Sequence, residues 1–177
     1  MDRTGTEPIS HVNGESQRRV RTVSWEDHLA FATAAAEMSG LEFLHAMVRG
    51  DVPPAPMMEL IGMRVISARE GETVFRLTPG EFHYNPTWSV HGGVYATVLD
   101  SAAACAVHTT LPAGSRFSTL DLSVRFIRPI RIGTGAVTST GTVVHAGRNV
   151  ALAEARLEDT GGALLATATA NCFITRP

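Results

Sequence analysis

The clearest pattern in the chain is the alternation in its last third. In the run STLDLSVRFI, Leu120, Leu122, Val124 and Phe126 fall on one side, and Thr119, Asp121, Ser123 and Arg125 on the other. Period two predicts a strand with two distinct faces. Three more runs, AVTSTGTVVHA, RNVALAEARLED and ALLATATANCFITR, are punctuated by Gly147 and by Thr160-Gly161-Gly162, which predicts an antiparallel meander. Upstream, MRVISAREG and ETVFRLTPG predict a hairpin turning near Glu70, Gly71 and Glu72. Between the two sets lies GGVYATVLDSAAACAVH, residues 92–108, small and apolar around most of its circumference. A helix of that kind must be buried on most sides. One buried helix among five or six antiparallel strands predicts an α+β architecture in which a curved sheet wraps around the helix.

The N-terminal third follows a different pattern. Residues 1–22 are polar and aperiodic and predict a mobile tail. Ser24, with Asp27 in the reciprocal capping position, predicts a helix start. Leu29, Phe31, Met38, Leu41, Leu44 and Val48 then supply apolar contacts on two helical pieces, separated at Gly40 and stopped at Gly50. VPPAP at 52–56 is a stiff connector. The chain divides into a tail at 1–22, a helical extension with its Pro-rich connector at 23–56, and the sheet-and-helix domain at 57–177. The extension is too short for a core of its own and must dock.

Composition removes several function classes. The chain has 177 residues, 44% of them hydrophobic, enough for one domain with a sizeable core. A net charge of -2 without any basic run argues against a nucleic-acid surface. All 15 basic residues are Arg, which excludes Schiff-base chemistry and a P-loop, both of which need a lysine amine. Cys105 and Cys172 sit inside apolar patterns and read as small buried residues. His83, His108 and His145 lack ligand spacing, so no metal site is expected. Neither a long apolar span nor a charged leader with an apolar segment is present, which points to a cytoplasmic protein without membrane partners.

The stretch NPTWSVHGGVYATVLD, residues 85–100, carries the chemistry. Asp100 stands in an otherwise apolar helix, where a carboxylate must be solvated, paired or put to use. Gly92 and Gly93 open the same helix, where the first N–H groups lack intrahelical partners, the dipole favours negative charge, and no Cβ obstructs a ligand. A base or nucleophile and an oxyanion donor are the two parts that acyl transfer requires. Eight residues at 1.5 Å rise hold them about 12 Å apart, beyond reach through one water. An antiparallel, two-fold related copy would bring one chain's Asp100 opposite the other's Gly92. Arg128 and Arg148 lie at predicted strand ends, where guanidinium groups could pair with phosphates.

Asn85, then His91-Gly92-Gly93, then Asp100 nine positions after the His, then TLDLSVRFIRP at 119–129, together resemble the hotdog-fold acyl-CoA thioesterases of the phenylacetic-acid-degradation (PaaI-like) group, over about residues 57–175. The resemblance implies a hotdog fold and a homodimer, or a tetramer of dimers, whose helices pack antiparallel at the centre with active sites at the subunit interface. It implies that Asp100 is the general base or nucleophile, that the Gly92 N–H is the oxyanion donor, and that Asn85 and His91 position the site. Thr119 matches a hydroxyl residue that holds the water, with Ser118 as the alternative. Gly93, Trp88, Ser118, Arg128 and Arg148 would border the substrate, an acyl-CoA whose coenzyme A is part of the substrate, so that no separate cofactor is implied. Trp88 departs from the group's Asn-Pro-x-Gly pattern. That departure predicts a loop without positive φ there, and an indole that covers or narrows the acyl channel. A non-catalytic acyl-CoA binding or sensing module and a hotdog hydratase or dehydratase are the alternatives, and the Asp/His loop signature of the latter is missing.

Overall fold

The computed structural model describes residues 18–177. Most of the predicted tail therefore lies outside the described residues; its last five residues do not, and Arg21 donates to the carbonyls of Glu59 and Leu60 and stacks 3.9 Å from the Phe82 ring centroid. The extension forms α1 (His28–Glu37) and α2 (Gly40–Arg49). Asp27, not Ser24, caps α1, accepting from the Leu29 N–H at 3.0 Å. Ser39 and Glu42 cap α2 reciprocally, and Gly50 ends it at φ 83°. A short helix, α3 (Pro56–Ile61), follows where the sequence predicts only a connector. It begins on Pro56, whose missing N–H costs a first turn nothing, and closes on Gly62 at φ 73°.

Six antiparallel strands make one sheet: β1 (Met63–Arg69), β2 (Glu72–Leu77), β3 (Arg116–Phe126), β4 (Val137–Ala146), β5 (Val150–Asp159) and β6 (Leu164–Thr175). Their order is β1-β2-β4-β5-β6-β3. The predicted hairpin and meander are both present, and β3 closes the far edge against β6. Register shifts in four of the pairings, among them Val65/Ser67 and Val143/His145, bend the strands. The long helix α4 spans Gly92–His108 and lies in the concave face.

That face is lined by small residues: Ala151, Ala153 and Ala155 on β5, Ala166, Ala168 and Ala170 on β6, and Ser139 and Gly141 on β4. The helix meets them with Ala102, Ala103 and Ala106. Small against small lets the backbones approach until a Cβ on Gly141 would stand 2.1 Å from the Ala102 carbonyl oxygen. Thr73 on β2 donates to that same carbonyl at 2.8 Å, which ties the helix to the sheet at mid-length.

One predicted face is wrong. Leu120 is the extra residue of a bulge, since Thr119 pairs with Cys172 and Asp121 with the next residue back, Asn171. Phe117 and Thr119 therefore share the helix-facing side with Leu122 and Val124, while Leu120, 60% exposed, turns out. Period two holds on either side of the bulge and changes phase across it.

Candidate active site

The bulge makes the first half of the site. It turns the Thr119 hydroxyl toward α4, where it donates to Asp100 Oδ1 at 2.9 Å. Both residues are half-buried. The second carboxylate oxygen takes no hydrogen bond from the described residues. Asp100 is thus paired and still half open, which leaves one oxygen for a water or a carbonyl carbon. Ser118 points to the exposed face, so of the two hydroxyls it is Thr119 that reaches the carboxylate. The charge is felt by its neighbours. Burial, reinforced by Asp100, pushes the Cys105 thiol up to about 12, and Cys172 is raised for the same two reasons, burial first. Neither cysteine is a nucleophile at neutral pH.

The second half gathers at the start of α4. His91 is the N-cap, its Nδ1 accepting from the Gly93 N–H at 2.9 Å, so Gly93's donor is taken. No described residue accepts from the Gly92 N–H. Phe126 closes over Gly92, with a ring carbon 3.1 Å from where a Cβ would stand. Asn85, Gly92 and Arg128 border one groove of about 360 Å³, together with Ser89, Tyr95 and Phe126. Asn85 holds the loop's shape: its Oδ1 accepts from the Thr87 N–H at 2.9 Å and the Thr87 hydroxyl at 2.8 Å, and its Nδ2 donates to Ser89 Oγ at 3.1 Å. This is an Asx-turn in a Pro-containing loop.

Tyr95 belongs to this half, and sequence reasoning missed it. Its hydroxyl donates to the Arg128 carbonyl at 3.1 Å and accepts from the Ile130 N–H, while its ring meets Phe126 edge-on at 5.5 Å. It fixes the segment that roofs Gly92. The signal was available, since Tyr95 is the one aromatic residue on α4 and its polar tip needs a buried partner.

Within one chain the two halves stay apart, separated by eight residues of α4, or about 12 Å. The strip of α4 between them is its least covered side: Gly93 is exposed, and Val94, Ala96, Thr97 and Asp100 are half-buried.

The comparisons with known proteins bear on this arrangement. The family model described as the thioesterase superfamily matches residues 89–166, which include Gly92, Asp100 and Thr119. A Halobacterium salinarum protein carrying an esterase name is 32% identical over 114 residues, 62% of this chain and 74% of that protein. A solved Ralstonia eutropha structure, titled as a thioesterase related to phenylacetic acid degradation, is 30% identical with a TM-score of 0.67, and the match covers 73% of this chain and 98% of that one. The chain belongs to the thioesterase superfamily. The medium/long-chain acyl-CoA thioesterase YigI of Salmonella typhimurium is 33% identical over 98 residues, 48% of this chain and 62% of that protein. The sheet, its strand order and the enclosed helix are the hotdog fold expected from the sequence, and thioester hydrolysis is the reaction class that membership in the superfamily supports.

The residues expected to border the substrate take separate places, and one expectation about them changes. Arg128 and Arg148 do not converge. Arg128 donates to the Leu164 carbonyl at the start of β6, whereas Arg148 sits in the β4–β5 turn, its carbonyl accepting from Arg176 just past the end of β6. The length of β6, about 35 Å at 3.3 Å per residue, separates them, so one chain cannot bring both to one phosphate. Trp88 contradicts its prediction, for it does take positive φ, at 63°. The Asn85 turn and the bridge between Tyr84 and Val90 hold the loop to the geometry a Gly would adopt, and the indole, 65% exposed, accepts it. A left-handed non-Gly residue is strained by about 1 kcal/mol. Trp88→Gly is expected to raise unfolding free energy by about 0.5–1 kcal/mol, read by chemical denaturation; a loss of stability would mean that the ring's packing outweighs the strain.

Among the described residues no helix is long and apolar enough to cross a membrane, and no three of His, Cys, Asp and Glu converge as metal ligands would.

Proposed function

We propose that the protein hydrolyses acyl-CoA thioesters to free acid and thiol, with water as the only co-reactant and coenzyme A as part of the substrate. The observation that carries the reading is the pair of half-sites on α4: a carboxylate held by Thr119, and a glycine N–H left without an acceptor. The YigI relative's name supports acyl-CoA as the substrate class.

A complete site then needs two chains. The edge strand β3 has unpaired backbone groups along its outer side and exposes Leu120 at 60% and Phe126 at 59%, with Ile127 just past its end exposed at 48%. An apolar edge of this kind is normally covered. Pairing two β3 edges about a two-fold axis would set the half-covered strips of two α4 helices against each other, antiparallel, with Asp100 facing the partner subunit's Gly92.

In that site the thioester carbonyl oxygen accepts from the Gly92 N–H, where the helix dipole favours the developing negative charge. Asp100, as general base, takes a proton from a water whose oxygen attacks the carbonyl carbon. Collapse of the tetrahedral oxyanion breaks the C–S bond and expels the thiolate, which takes up a proton. Acting instead as a nucleophile, the carboxylate would form an acyl anhydride that water then opens. Thr119 and Asn85 act on geometry in either route, the first by holding Asp100 and the second by shaping the loop beside Gly92. Arg128, which borders the Gly92 groove, would pair with a coenzyme A phosphate.

A panel assay tests the reading. Release of free thiol from short, medium, long and aryl acyl-CoAs should show turnover for at least one class. Tight binding of several with hydrolysis of none would make the protein a binding module.

A further inference from the structure

An apolar cavity lies on the other side of Asp100 from the Gly92 groove. It has a volume of about 420 Å³, within the 300–1,000 Å³ typical of small-molecule sites, and it lies between the N-terminal helices and α4, half open to the surface. Phe31 of α1 and Met47 of α2 line one side, Met58 of α3 another, and Cys105 and His108 of α4 with Phe117 of β3 the third. None of this is explained by a carboxylate, a donor glycine or a phosphate contact. An extension needed only for stability would be expected to close its apolar side chains against α4 rather than leave an apolar cleft between them.

We propose that this chamber receives the acyl tail of the thioester, so that the N-terminal helices set the length and shape of the chain the protein accepts. The proposal rests on the thioesterase reading and adds a place for the tail. Two elements carry the cavity up to the reacting carboxylate. On α4, Ser101 lines the cavity and follows Asp100 directly; on β3, Phe117 lines it and shares the inward face with Thr119, two residues on, whose hydroxyl holds Asp100. Asp100 and Thr119 do not themselves line the cavity, so the tail of a thioester held at Asp100 would enter it past Ser101 and Phe117.

The lining suits a flexible alkyl chain. Met47, Met57, Met58 and Met63, from α2, α3 and β1, are unbranched and polarizable and can repack around tails of different shape. His108 is the one titratable ring in the wall. It lies between Phe43 and Phe117, with centroids at 5.5 and 4.9 Å, and burial keeps it neutral. The depth along α4 from Ser101 to His108 is about 10 Å at 1.5 Å per residue, which corresponds to a tail of medium length. Beyond His108 the chamber cannot extend along the helix. The start of α2 is seated there, with the Gly40 N–H donating to the Leu111 carbonyl at 3.0 Å and no room at Gly40 for a Cβ, which would stand 1.8 Å from the His108 carbonyl oxygen.

The test compares butyryl-, octanoyl- and palmitoyl-CoA in the full chain and in Met47→Trp, which fills the chamber from α2, with Ala35→Phe as a second filling variant from α1. The expected result is that the octanoyl-to-butyryl ratio of kcat/KM falls tenfold or more in a folded filling variant, and that Phe31→Ala, which opens the roof, raises the palmitoyl-to-octanoyl ratio. Calorimetric binding of octanoate, which needs no catalysis, should weaken tenfold or more in the same filling variant. If thioesters are hydrolysed while both the ratio and octanoate binding ignore a folded filling variant, the chamber assignment is overturned. If no thioester is hydrolysed but octanoate binding is lost on filling, the chamber stands and the thioesterase reading falls.

Discussion

Asp100→Asn is expected to lower thioester turnover by about 10² or more while the oligomer persists, because the amide keeps the shape and the Thr119 hydrogen bond but loses the charge and the basic lone pair. The more demanding result comes from mixing. Gly92 carries Phe126 at 3.1 Å from its absent Cβ, so Gly92→Val displaces the ring and blocks the approach to the N–H. Each parental homo-oligomer should be nearly inactive, one lacking its carboxylate and the other its donor. A heterodimer of the two should regain one working site, built from the intact Asp100 of one chain and the intact Gly92 of the other. Purified heterodimers carrying orthogonal tags, assayed for thiol release, decide it. Recovery toward half of the native rate is the expected outcome. No recovery in verified, folded heterodimers would assign Asp100 a structural role through Thr119 and would leave the helix start without a catalytic partner.

What the sequence discloses about this site depends on the range of the physical cause. The limits of α4 and the course of the β4–β5–β6 meander are set by long local patterns, and the structure has both where the periodicity puts them. Asp100 and Gly92 are conspicuous because each breaks the local rule of an apolar helix, one by charge and one by the missing side chain. The bulge at Leu120 leaves no such mark. It arises from pairing with β6, where Asn171 Nδ2 donates to both carboxylate oxygens of Asp121, a contact between residues 50 apart. Alternation alone therefore puts Thr119 on the wrong face, and only the resemblance to a known group assigns it to the site. Trp88 is the opposite case, since its type argues against positive φ and the loop's hydrogen bonds impose it. The chamber could not be read at all, because its walls come from α1, α2, α3, β1, β2, α4 and β3, none of which looks like a binding element by itself.

The same enclosure makes the fold acid-sensitive at His108. Its ring is only 7% exposed, and burial lowers its pKa from 6.5 to about 4. The groups facing it are Phe43 from α2 and Phe117 from β3, while Cys105 and Arg116 line the same cavity; none offers a negative charge to hold a proton on the ring. Above pH 6.5 the residue is neutral in both the folded and the unfolded chain, and its contribution to stability is fully present. Between pH 6.5 and 4 the unfolded chain binds a proton that the folded chain refuses, so stability drains as pH falls, by about 3 kcal/mol at the lower limit and little more below it. His83, whose Nδ1 accepts from Gly80 and whose Nε2 faces the Ile61 carbonyl, is lowered by burial and adds in the same direction. Denaturation midpoints across pH 7.5 to 4.5, for the native chain and for His108→Gln, separate the two histidines, because the variant retains His83 and every carboxylate. The native chain should lose stability faster than the variant through this window, and octanoate, by occupying the chamber only in the folded state, should restore part of the loss in proportion to its concentration. Parallel pH slopes in the two proteins would mean that His108 is protonated in place, and that the chamber wall tolerates a charge which its apolar lining gives no means of neutralising.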